Sequence, residues 1–211
     1  MRRSLLIFLP FLLFNSSITS AAIQAPSFNC KLAQGQIEEL ICQNNQLTIL
    51  DIQLNDVYQQ LANKVEAAEF AQIKPIQRGW IKGRNDCWKA EDMTACVTAA
   101  YSSRITELQI AAGVFEVPAA IQYQCGVAEN NTLTKITAYF YNDTATPAAV
   151  FTISPSNDYL KSTNIALLSR TASGAKYQGQ NFSLWTHQNE ATLSQFDQAD
   201  LNCSVRPELE K

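Results

Sequence analysis

The chain has 211 residues, with 16 Lys and Arg against 19 Asp and Glu, six cysteines and a single histidine. The mildly acidic balance argues against a nucleic-acid partner. One histidine and no Cys-x-x-Cys pair argue against a zinc site, so neither metal nor cofactor is expected.

The first segment reads as a secretory signal. Arg2 and Arg3 form a positive start, Leu5 to Phe14 an apolar run interrupted by Pro10, and Ser20-Ala21-Ala22 a small-residue cleavage site. Removing residues 1–22 places the mature start near Ile23 and leaves 14 basic against 19 acidic residues, a net charge of −5. Cys30 lies beyond that boundary and follows Ser27-Phe28-Asn29, which is no lipidation site. A periplasmic or secreted protein without a stable membrane anchor is expected. In an exported chain the even set Cys30, Cys42, Cys87, Cys96, Cys125 and Cys203 favours disulfides.

From Ile37 to about Leu108 the apolar residues recur at helical spacing. Leu47, Leu50, Leu54, Tyr58, Leu61 and Val65 make one face of a long helix. Phe70, Ile73, Ile76 and Trp80 continue the pattern, with Pro75 near a helix start or a kink, and Val97, Tyr101, Ile105 and Leu108 mark a third stretch capped by Asp92 or Thr94. The expectation is a helical hairpin or small bundle over residues 23–112, its modest core supplemented by disulfides. Four cysteines there allow three pairings, and proximity favours Cys30 with Cys42 and Cys87 with Cys96.

Ala111-Ala112-Gly113 and Val117-Pro118-Ala119 bracket a linker at 113–119, after which the period changes. A β-rich run from near Thr132 carries Leu133, Ile136, Ala138 and Phe140, and a second strand spans Ala149 to Ile153. Pro155-Ser156-Asn157-Asp158 is a turn, and Ile165–Leu168, Phe182–Trp185 and Ala191–Leu193 complete a set of short strands suited to a sandwich or barrel. Cys125 and Cys203 lie at the ends of this region, so a bond between them would tie the first strand to the last.

Within it, Ser173-Gly174-Ala175-Lys176-Tyr177 reads as a small polar loop ahead of an aromatic strand ending Trp185-Thr186-His187. Gly174 permits a tight excursion, and Lys176 offers a charge-assisted contact. Tyr177 is either an aromatic wall or a side chain packing the loop on the barrel, and Trp185 is read as core. Ser173 and His187 do not make a hydrolase: there is no Gly-x-Ser-x-Gly elbow, second histidine or identifiable orienting acid, so the chain is not expected to be an enzyme.

Two resemblances follow. Ser27-Phe28-Asn29-Cys30, Ile41-Cys42, Leu50-Asp51, Gln77-Arg78-Gly79-Trp80, Arg84-Asn85-Asp86-Cys87 and Arg104-Ile105 resemble the LprI-type lysozyme inhibitor family over about residues 27–108. Tyr123-Gln124-Cys125, Ala172 to Tyr177, Phe182 to His187, Glu190 to Leu193 and Cys203 resemble the MliC/PliC inhibitors of c-type lysozyme over about residues 120–206. His187-Gln188 stands where that family has Lys-Gly.

The second resemblance implies an antiparallel eight-stranded barrel at 120–207, giving an α+β chain in separate domains with Cys125 bonded to Cys203. It also implies that Ser173, Gly174, Lys176, Tyr177 and His187 bind c-type lysozyme, the loop entering its cleft. The expected function is inhibition of that enzyme. The alternative is a non-catalytic envelope-binding module with a changed target, and a third reading gives the helical part an inhibitory head of its own. Self-association is left open.

Overall fold

The computed structural model describes residues 24–127, 133–155, 160 and 163–205. The signal segment, most of the 155–158 turn and Thr132 therefore lie outside the described residues.

After a 3-10 turn at Cys30–Leu32 come α1 (Gln36–Gln43), α2 (Asn45–Lys64), α3 (Ala67–Asn85), a second 3-10 turn (Asp86–Lys89) and α4 (Met93–Ala111). Asn44 starts α2 by accepting from the amides of Gln46 and Leu47 at 3.0 and 3.2 Å, and Asp92 starts α4 by accepting from Ala95 at 2.9 Å. Each supplies a partner to N–H groups that the helix itself leaves free. Ile37, Ile41, Leu47, Leu54, Leu61, Val97, Tyr101, Ile105 and Leu108 form the buried core. The disulfides Cys30–Cys42 and Cys87–Cys96 staple one end of the bundle, the pairing that proximity favours.

Helix α3 departs from expectation. Pro75 lies in its interior, exposed beside an exposed Ala71, where water can reach the carbonyl that proline cannot serve. Ile76 is 58% exposed, and the residues that α3 buries are Gln77 and Arg84. Arg104 Nε donates to Gln77 Oε1 at 2.9 Å. Arg84 Nη1 donates to the Tyr101 hydroxyl at 2.8 Å, which donates to Asp51 Oδ1 at 2.8 Å. The other Asp51 oxygen accepts from the Ser27 amide at 2.6 Å. Partnered in this way, the buried charges avoid the penalty of an unpaired ion.

The second half is a closed barrel of eight antiparallel strands in sequence order. These are β1 (Ile121–Val127), β2 (Leu133–Tyr141), β3 (Ala148–Ser154), β4 (Asn164–Ser169), β5 (Ala175–Gln178), β6 (Phe182–His187), β7 (Glu190–Gln195) and β8 (Leu201–Val205). Alternating residues turn inward. Ile136, Ala138, Phe151, Ile153, Leu184 and Leu193 fill the interior, with Phe151 meeting Phe182 edge-on at 5.4 Å. At the closing seam Cys125 pairs with Cys203 in register and is bonded to it.

The two halves touch through α4. Thr146 N donates to Thr106 Oγ1 at 2.8 Å, Thr106 Oγ1 to Thr146 O at 3.2 Å, and Ala145 N to Gln109 Oε1 at 2.9 Å.

Candidate functional site

Two adjacent turns at one end of the barrel bring the sequence-selected residues together. The β4–β5 turn holds Ser173 and Gly174, while His187 ends β6 just before the turn to β7. Lys176 is not in a loop but on β5, opposite Trp185, and Ala175 is opposite Thr186. The polar loop is therefore shorter than expected, because strand pairing with β6 claims its second half.

Gly174 has φ +66, and a Cβ there would collide with the Thr186 carbonyl oxygen and lie 3.0 Å from Trp185 Nε1. Only glycine fits both the backbone and the space. The Ser173 carbonyl accepts from Trp185 Nε1 at 2.9 Å and from Thr171 Oγ1 at 3.3 Å. Ser173 is exposed, and among the described residues its hydroxyl has no partner. The turn is thus held by its backbone and offers its side chain outward.

Trp185 overturns the expectation that it lies in the core. Leu184 fills the interior, so the two-residue period sends Trp185 and His187 together to the outer face. Their rings stack at 5.7 Å with an interplanar angle of 12°. Trp185 is half-buried and His187 exposed. Tyr177 belongs to the barrel core cluster. It is 5% exposed, its ring 5.3 Å from that of Phe140, and burial raises its pKa. It presents no aromatic wall outside.

His187 and Glu190 face each other across the Gln188–Asn189 turn. Gln188 holds φ +52, the left-handed conformation that glycine enters at least cost. Val205 N donates to Asn189 O at 2.7 Å, tying the turn to the last strand. Half-buried Lys176, opposite Trp185, adds positive charge on the face that carries His187, and exposed Arg170 follows the end of β4. Arg170 and Trp185 were missed as surface residues; the shared parity of 185 and 187 is the signal that finds the second. Among the described residues no three His, Cys, Asp or Glu side chains converge as a metal site.

The arrangement can present a hydroxyl, an imidazole stacked on an indole, and a lysine to an acidic cleft. It contains no nucleophile with a base in contact, as a covalent catalyst would need.

Residues 29–111 match the family described as "Lysozyme inhibitor LprI", and residues 123–202 that described as "Membrane-bound lysozyme-inhibitor of c-type lysozyme". Lipoprotein LprI of Mycobacterium tuberculosis (strain H37Rv) is 30% identical over 176 residues, which covers 83% of this chain and 82% of the relative. Lipoprotein LprI of Mycobacterium bovis matches to the same extent, 30% over 176 residues. Among solved structures, Pseudomonas aeruginosa MliC in complex with hen egg white lysozyme is 28% identical, covering 42% of this chain and 81% of that one, with a TM-score of 0.30.

Proposed function

Given that the chain belongs to the LprI lipoprotein family of lysozyme inhibitors, with a barrel of the MliC family, we propose that it inhibits c-type lysozyme by placing the 173–174 turn and His187 in the enzyme's active-site cleft. The observation that carries this reading is the unpartnered Ser173 hydroxyl, held out by a backbone locked to Trp185.

A glycosidase of this type sets one protonated and one ionised carboxyl across its cleft. A serine hydroxyl can donate to the carboxylate and accept from the acid, so it satisfies both states at once. His187 lies on the same surface, where its ring N–H can donate to a carboxylate. Lys176 adds a positive group. The protein occupies the cleft and performs no chemistry there. Its acidic net charge speeds encounter with a basic partner.

Localisation follows the signal segment: export, cleavage near Ile23, and residence in the periplasm or outside the cell. The relatives are lipoproteins by name, but Cys30 here is bonded to Cys42 and so is not a lipid attachment point. No helix among the described residues is long and apolar enough to cross a membrane.

The test is a cell-wall lysis assay with c-type lysozyme, and with g-type lysozyme as control. The mature protein should block the first and spare the second, and Ser173→Ala should weaken the block while melting at the native temperature. No inhibition of the c-type enzyme would favour an envelope-binding module instead.

A further inference from the structure

The stapled end of the helical half carries a feature that lysozyme binding at the barrel does not use. Trp88, on the 3-10 turn that follows α3, is 57% exposed. With Asn85 and residues Gln34 to Ile37 it lines a hollow of about 430 Å³. Lys89 Nζ lies 5.4 Å from the Trp88 ring centre and is ion-paired to Asp86 at 2.9 Å, a cation–π contact that steadies the indole. The two helical-half disulfides flank it in sequence, since Cys87 neighbours Trp88 and Cys42, in the last turn of α1, is bonded to Cys30.

The buried polar network ends at this hollow. Arg84 Nε and Nη2 both donate to Asn85 Oδ1, at 3.1 and 2.8 Å, while Nη1 is held by Tyr101 and through it by Asp51. A guanidinium has only donors, so it fixes the oxygen of Asn85 toward itself and leaves Nδ2 as the free, oriented donor. A buried ion network of this kind is costly to assemble and does not by itself argue stability. Here it sets the direction of one amide at the rim of a hollow. None of the residues that line the hollow (Gln34, Gly35, Gln36, Ile37, Asn85 and Trp88) carries a charge, which suits a neutral ligand.

We propose that this hollow is a subsite for a neutral acetamido sugar, an N-acetylhexosamine unit of an envelope glycan, with the pyranose on Trp88 and the acetamido oxygen accepting from Asn85 Nδ2. An indole offers an apolar face to the C–H side of a pyranose, and few placed polar groups around an aromatic are the usual make-up of a small-ligand site. The helical half would thus hold the inhibitor on the polymer that lysozyme attacks. The sugar site stands independently of the barrel surface.

Calorimetric titration of the full mature chain, without lysozyme, with the β-1,4-linked tetramer of N-acetylglucosamine tests this, the glucose tetramer serving as control. Saturable binding of the first and much weaker binding of the second are expected. Trp88→Ala and Asn85→Asp should each weaken binding about tenfold. The second keeps an oxygen for Arg84 and replaces the amide donor by an ionised acceptor. Ser173→Ala should bind as the native protein does, so failure of the lysozyme reading and of this one are separable. No saturable binding, equal binding of the two tetramers, or native affinity in Trp88→Ala would each overturn the proposal. So would loss of lysozyme affinity in Trp88→Ala with no sugar heat in the native chain, since the hollow would then be a protein contact.

Discussion

Trp185→Phe separates the indole's hydrogen bond from its bulk. Phenylalanine keeps a ring beside His187 but removes the N–H that donates to the Ser173 carbonyl at 2.9 Å, leaving Thr171 Oγ1 at 3.3 Å as the remaining partner. A partly exposed hydrogen bond of this kind contributes about 0.5–1 kcal/mol net. Freeing the turn adds some ordering cost to binding. The sum, about 1 kcal/mol, corresponds to about a fivefold loss of affinity for c-type lysozyme. The melting temperature should move little, because the bond is at the surface. Calorimetry on the four proteins of a Ser173→Ala and Trp185→Phe cycle checks the logic, since Trp185 acts through the position of Ser173. The loss from Trp185→Phe should shrink once the hydroxyl is gone. Unchanged affinity in Trp185→Phe, or fully additive losses in the double variant, would refute the positioning role.

Four further outcomes are expected. Gly174→Ala should destabilise the barrel by about 1–2 kcal/mol from the left-handed backbone alone, more with the collision at the Thr186 carbonyl, and should abolish inhibition; thermal melts and the lysis assay read both. Gln188→Gly should raise stability by about 0.5 kcal/mol, the strain relieved at φ +52 exceeding glycine's added freedom in the unfolded chain. His187→Gln should weaken binding to lysozyme by about 0.5–1 kcal/mol through loss of one imidazole contact, read by calorimetry; unchanged affinity would remove His187, which faces Glu190 in the free protein, from the mechanism. At alkaline pH the burial of Tyr101, outweighing the nearby Arg84, holds its phenol pKa well above the unfolded value of about 10. Its contribution is complete below that value and is lost above it at about 1.4 kcal/mol per pH unit, because only the unfolded chain releases the proton. Denaturant titrations above pH 10 should show this fall, and Tyr101→Phe should lessen its slope.

What could be read from the chain followed from short-range periodicity. Val97, Tyr101, Ile105 and Leu108 are all buried, as the helical period requires, and Asp92 caps where a short polar residue before an apolar run should. Helix α3 was less legible, because what it buries is decided by partners far along the chain. Gln77 meets Arg104 27 residues away, and the Asp51 carboxylate meets Tyr101 at a separation of 50. No local pattern announces such pairs. At the candidate site the reading of Trp185 as core gave a large apolar residue its average location and overlooked its parity with His187. Strand β5 was read as loop because it has four residues, Ala175–Gln178, too few to display an alternation.

The ring of eight strands shuts on itself, with Tyr123, Gln124 and Cys125 hydrogen-bonded to the final strand. Such a sheet has no open margin onto which a foreign segment could be annealed as an additional strand. Any protein that this barrel engages must be met by protruding tips and outward side chains. Those positions can be exchanged without disturbing the interior, so one scaffold can acquire a different target through a few turn substitutions.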